Sequence, residues 1–378
     1  MSNGRRIHLV RPASMMLASG LAIGLYVACG TQTPGGNLQG PPGALGLPGP
    51  VGPMGEAGPA GPAGVDGASL VYGNGSAGAR TIAVDEDWQD TPPTNLMFTD
   101  FTVNAGVTLD VPSGTVIRCS GTFTNDGTIL VRFSGASGGN PAGNPSGMIQ
   151  PEIALPHPGV ARGGAGIPEF GDDTQFRLGG SGGSGLLSMQ GRFLLHPGTF
   201  GGGGGFGTFA FGGGGGGEAF SVLARTAIVN GDTGTIQADG SAGLQGSGGG
   251  GGGIIILASM GSVTNNGTLS VKGGDGGPSN NTTGPGGGGG GGIINFLAPV
   301  ISHGPGAMEL VNGGAAGAAV FQSVTATFRW GGGGGGACRG NGGSGGHLDA
   351  GTPVTPEDAE AGEAGEVYEC VYDPTPLL

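Results

Sequence analysis

Charge is scarce in this chain, and what there is leans one way: 10% of residues are charged, with 13 Lys plus Arg against 26 Asp plus Glu and a formal net charge of −13. A polyanion would be repelled, and there is no basic stripe to release counterions, so nucleic-acid binding is excluded. Aromatic residues make up only 6% of the chain. Long apolar runs are missing too. After residue 28 no segment approaches the roughly 20 apolar residues of a membrane span without meeting glycine or charge. The four cysteines have no histidine at ligand spacing, so no metal site and no cofactor are expected.

Glycine and proline fill the gap, with 96 and 27 copies against a usual usage of about 7% and 5%. Each glycine in a helix or isolated strand costs about 0.5–1 kcal/mol in backbone entropy, which rules out an ordinary helix-rich globule. Glycine must therefore serve geometry: the crowded axis of a collagen triple helix, or tight turns and close-packed backbones in repetitive extended structure.

The amino terminus has a basic start (Arg5, Arg6, Arg11) and an apolar stretch from Met15 to Ala28, short of a membrane span and suited to a signal h-region. The run Leu25-Tyr26-Val27-Ala28-Cys29-Gly30 resembles the lipobox of bacterial lipoproteins, with Tyr26 where an aliphatic residue is usual. That resemblance implies a signal peptide at 1–28 and lipidation of Cys29. The protein would be exported and lipid-anchored on the outer surface of a bacterium, with the bilayer as partner through its acyl chains. The alternative is a plain secretory signal.

After a linker at 29–39, glycine falls at every third position: Gly40, Gly43, Gly46, Gly49, Gly52, Gly55, Gly58, Gly61, Gly64 and Gly67. Residues 40–69 resemble the collagen family, with prolines such as Pro41, Pro50 and Pro59 pre-setting the polyproline II dihedral. The period implies a triple-helical stalk and hence a homotrimer, about 90 Å long at about 3.1 Å per residue. A single-chain polyproline II spacer is the alternative.

Past a linker at 70–94, short β-branched and aromatic runs alternate with Gly, Asn, Pro or Ser, the signature of strands and turns. A longer unit then repeats: glycine runs end at Gly217, Gly253, Gly292 and Gly336, and the first three are each followed by an apolar strand such as Ile254-Ile255-Ile256-Leu257 and then a half-polar strand such as Gly267-Thr268-Leu269-Ser270-Val271. The piece Asn125-Asp126-Gly127-Thr128-Ile129 is a degenerate earlier copy. Units that cannot bury an apolar face alone must stack on their neighbours. Residues 95–345 are similar to glycine-rich right-handed parallel β-helix proteins of bacterial surfaces, which implies an all-β solenoid interrupted by an insertion at 134–205. The glycine runs are either its corners or side-by-side polyglycine II strands. Residues 346–378 read as an acidic, solvated tail.

Polysaccharide cleavage would need clustered carboxylates. Here Asp100, Asp110, Asp126, Glu169, Asp172, Asp173, Asp232, Asp239, Asp275 and Glu309 are dispersed. No catalytic residue is assigned. Gly273-Gly274-Asp275-Gly276-Gly277 touches a calcium-binding pattern but does not repeat. Cys338 and Cys370 form the natural disulfide pair of an exported chain, with Cys119 buried or free. The expectation is a non-enzymatic surface protein for adhesion or a structural coat, with an unknown surface ligand. An envelope-bound polysaccharide-active enzyme and a phage-type fibre are the alternatives.

Overall fold

The computed structural model describes residues 67–89, 91–132, 213–279, 283–320, 328–337, 339–349 and 355–377, all within the compact unit Ala63–Leu378. The signal segment, Cys29, the linker at 29–39, the glycines from Gly40 to Gly64, the insertion at 134–205 and Cys338 lie outside these residues.

The chain coils three strands at a time. Successive coils consist of β1 (Arg80–Ile82), β2 (Glu86–Asp87) and β3 (Met97–Phe98); β4 (Phe101–Val103), β5 (Thr108–Pro112) and β6 (Thr115–Cys119); β7 (Thr122–Asn125), β8 (Thr128–Arg132) and β9 (Ala219–Ala224). They continue with β10 (Ala227–Asn230), β11 (Thr235–Gln237) and β12 (Ile254–Ser259), then β13 (Ser262–Asn265), β14 (Thr268–Ser270) and β15 (Ile293–Leu297). The last coil takes β16 (Val300–His303) and β17 (Met308–Leu310), and closes much later with β21 (Glu366–Cys370). Corresponding strands stack in parallel, giving three six-stranded sheets: β1-β4-β7-β10-β13-β16, β2-β5-β8-β11-β14-β17 and β3-β6-β9-β12-β15-β21. This is a parallel, β-helix-like solenoid.

Alternation builds its core. In β5, β6, β7 and β8 every second side chain is buried, so a one-residue slip would turn the whole apolar set outward. In-register stacking then places like on like from coil to coil. Leu109, Ile129, Ile236 and Leu269 form one ladder, and Phe101 lies on Phe123 with ring centroids 5.7 Å apart and planes 5° from parallel. The third sheet breaks the alternation because β9 and β12 are buried on both faces, which explains their unbroken apolar runs. Phe220, Ile255, Leu257 and Phe296 join the interior. Leu223, Ile254, Ile256 and Leu297 point outward into a second cluster with Ala68 and Tyr72 of α1 (Gly67–Tyr72).

Three boundaries differ from the sequence expectation. The solenoid begins at Arg80 rather than 95, because the first coil needs only two or three residues per strand to close one end, too few for alternation to register. The last stalk glycine, Gly67, opens α1 instead of continuing an extended chain, since Ala68 and Tyr72 find apolar cover on the third sheet. The tail at 346–378 is not a solvated segment: β21 pairs with β15, while β19 (His347–Asp349) and β20 (Thr355–Glu357) join β18 (Phe328–Trp330) in a small antiparallel sheet.

The glycine runs settle into the alternative that spacing left open. They are neither strands nor corners, but extended segments bonded at every third residue, the polyglycine II arrangement. Around 286–292, Gly286, Gly289 and Gly292 donate to Gly277, Gly274 and Val271; Gly287 and Gly290 to Gly332 and Gly335; Gly288 and Gly291 to Glu360 and Glu363. The same segment accepts from Gly314 and Gly317, from Gly249 and Gly252, and from Gly340 and Gly343. A three-residue turn presents three faces, and here each face meets two chains, so this segment has six neighbours. No side chain fits between them. A Cβ on Gly289 would land on the Gly250 carbonyl, and one on Gly290 on the Gly340 carbonyl.

Glycine content therefore reports how many faces are covered. The central segment is all glycine, whereas 340–346 (Gly-Asn-Gly-Gly-Ser-Gly-Gly) keeps its third face for Asn341 and Ser344. Farther out, 359–365 (Ala-Glu-Ala-Gly-Glu-Ala-Gly) turns Gly362 and Gly365 toward Gly289 and Gly292. Its glutamates satisfy the next chain: Glu360 accepts from the Ser344 N–H at 3.1 Å, and Glu363 accepts from the Asn341 side-chain amide at 2.6 Å.

Replacing Gly289 with Ala is expected to lower stability by at least about 1–3 kcal/mol through overpacking. Gly306→Ala, where the nearest neighbour of a new Cβ is the Asn266 carbonyl at 3.5 Å, should stay within about 0.5 kcal/mol. Paired thermal melts check both; equal melting temperatures would contradict the bundle.

Candidate functional site

Among the described residues, each glycine segment leaves the solenoid after the second sheet and returns at the third: between β11 and β12, between β14 and β15, and between β17 and β21, with 213–217 leading into β9. One corner of the coil therefore carries the whole bundle, and the outer turns gather at its free end. Ser247 N–H closes on the Leu244 carbonyl at 2.8 Å in a turn where Gln245 and Gly246 both have positive φ, 24° and 78°. Thr283 Oγ1 donates to the Gln245 carbonyl at 3.4 Å, and Val320 N–H donates to Ser279 Oγ at 2.6 Å. Gly346 N–H reaches the Pro285 carbonyl and Gly331 N–H reaches the Gly346 carbonyl, which brings the ends of β18 and β19 to the same place. Leu244 is 60% exposed there.

The solenoid interior carries a second polar feature. At the corner between the first two sheets, Asn125, Asn230 and Asn265 stack in register. The side-chain amide of Asn125 donates to Asn230 Oδ1 at 2.8 Å, and that of Asn230 to Asn265 Oδ1 at 2.8 Å. Asn265 donates onward to Glu309 Oε1. The same oxygen lies 2.9 Å from His303 Nδ1, and His303 Nε2 lies 3.0 Å from Glu369 Oε1. His303 is the register successor of Asn265, and Glu309 that of Leu269. The opposite end is built alike: Glu86, in register with Leu109, takes Arg80 at 2.7 Å and the Trp88 indole at 3.0 Å. A charged, partnered glutamate thus closes each end of an apolar ladder.

Four of the dispersed acids are clamps between neighbouring turns. Asp100 accepts from Thr122 N–H at 2.7 Å, Asp110 pairs with Arg132 at 2.9 Å, and Asp275 accepts from Ala315 N–H at 2.8 Å. Asp239 takes Ser270 Oγ–H at 2.6 Å and Lys272 N–H at 2.7 Å. Glu169, Asp172 and Asp173 lie outside the described residues. Among the described residues no group of three or more His, Cys, Asp or Glu is placed to hold a metal ion, and no helix is long and apolar enough to cross a membrane.

Of the residues singled out by sequence, Gly67 sits in α1, and Cys370 is a half-buried free thiol at the end of β21, its expected partner Cys338 lying outside the described residues. Cys119 is buried in the interior, where desolvation and then the nearby Asp100 charge push its pKa up to about 12. Sequence reasoning missed the asparagine ladder and His303. A signal was present: Asn125, Asn230 and Asn265 each follow a short β-branched or aromatic run and stand as its last residue, before the turn into the second sheet. Comparison with protein families, with characterised proteins and with solved structures found no match for this chain.

Two outcomes follow. Asn230→Leu orphans the Asn265 side-chain carbonyl and takes from the Asn125 amide one of its two acceptors, leaving it the Thr235 carbonyl at 3.3 Å; a buried unsatisfied group costs about 1–3 kcal/mol, and denaturant melts should show the loss. Because Cys119 has a raised folded pKa, its contribution to stability is complete below pH 9 and is lost as pH climbs from 9 toward 12. At pH 8 it should therefore resist alkylation in native protein while Cys370 reacts, as read by peptide mass mapping.

Proposed function

We propose that this protein is an exported surface lipoprotein, held in the bacterial envelope by acyl chains on Cys29, which displays its β unit on a collagen-like stalk for adhesion or as a structural coat. The carrying observation is the gathering of the glycine segments into one bundle whose turns meet at a single free end. A glycine interior offers no side chains for chemistry; it holds its tips in place, as a display element must. Parallel crossovers are right-handed in about 98% of cases, which favours a right-handed coil. Several acyl chains, at about 0.8 kcal/mol per buried methylene, would hold the chain firmly on the bilayer. The stalk glycines favour a homotrimer, and the acidic surface disfavours nucleic acid. The surface ligand would be met at the distal turns.

Cells expressing the full chain, fed a palmitate analogue, are expected to incorporate label at Cys29 and to expose the β unit to added protease. Cys29→Ser should abolish labelling and release the protein from the membrane fraction. Unlabelled protein in the cytosol would end the reading.

A further inference from the structure

We infer that three copies of this chain meet through α1, with Leu70 at the seam. The inference rests on the stalk reading. On that reading a glycine at every third position up to Gly64 brings three chains to one axis, because only hydrogen fits there. Gly67, the next in the series, is the first residue of α1. Helix rise is about 1.5 Å per residue, so Leu70, three residues on, lies only about 4.5 Å farther along the chain axis. It has no means of leaving the neighbourhood of its two counterparts.

Leu70 is also the most exposed large hydrophobic among the described residues, at 72%. Its neighbours Ala68 and Tyr72 face the other way and are buried against the third sheet, and α1 touches β6 and β9. The helix is thereby fixed with its apolar outer residue outward. The carboxyl-terminal segment is tied to the buried side of α1. After β21 it returns to α1, where Tyr72 Oη meets Thr375 Oγ1 at 3.0 Å. Pro374 is buried, while Val371 and Tyr372 remain 66% and 43% exposed. No charged side chain belongs to α1. An apolar helix residue held next to the end of the stalk suits a second and third copy of itself.

The test uses the full chain. Wild-type protein should have the mass of a trimer in light scattering, and Leu70→Asp should raise the concentration at which half the chains are trimeric by about tenfold or more, with unchanged melting of the β unit. In a second arm, Leu70→Cys treated with oxidised glutathione should give covalently linked dimers on denaturing gels, and Leu244→Cys, at the distal end, should not. A monomeric wild type would overturn the stalk reading and the seam with it. A trimeric wild type, matched by a Leu70→Asp variant of unchanged stability and by no cross-link at Leu70→Cys, would overturn the seam alone.

Discussion

Backbone hydrogen bonds repeated every third residue between extended chains are the constraint on which the glycine-rich part of this molecule depends. A segment such as 286–292 has no side chain to bury and so contributes nothing through apolar packing. It must satisfy its N–H and C=O groups on all faces, because an unpaired buried backbone group costs as much as a lost hydrogen bond. Only neighbours of the same kind come close enough to do this. Glycine's entropic cost is met by the number of bonds and by dense backbone contact, and one alanine at the centre is enough to push a carbonyl aside.

The solenoid anchors that bundle. Coils rising by one strand spacing, about 4.8 Å, set successive glycine segments side by side at a separation from which three-period bonding can start. The coil ends are finished by charge instead of apolar residues. Glu86 with Arg80 and Trp88 at one end, and Glu309 with His303 and Asn265 at the other, replace the next ladder residue with a partnered carboxylate. Such ends are poor templates for an unrelated strand, a familiar protection for exposed sheet edges. At the corner between the first two sheets, the asparagine ladder passes donated hydrogen bonds from Asn125 through Asn230 and Asn265 to Glu309, and leaves Asn125 Oδ1 as its one buried oxygen without a partner.

Legibility in the sequence followed the strength of the local pattern. The strands between Thr108 and Arg132 alternate over four or five residues and are readable. The first two strands, β1 and β2, with three and two residues, are not. The stretch from Ala359 to Gly365 carries a period of three that matches a rim segment, yet its glutamates make it look like a solvated tail. Their hydrogen bonds to Ser344 and Asn341 exist only once those chains lie alongside. The three asparagines each end a first-sheet strand, but the turns after them differ in length, and a single residue type at loose spacing has no meaning until the coils register.

What the sequence by itself determined is the class of structure: extended, coiled, glycine-dependent and nearly devoid of helix, because 96 glycines and short apolar strands leave no other way to bury a core. Tertiary structure alone decided that the glycine runs become a six-neighboured bundle, that the acidic carboxyl terminus closes the third sheet, and that His303 joins two glutamates. Each of those depends on which chains become neighbours, and neighbours distant in sequence are chosen by register and coil rise, quantities that no local pattern encodes.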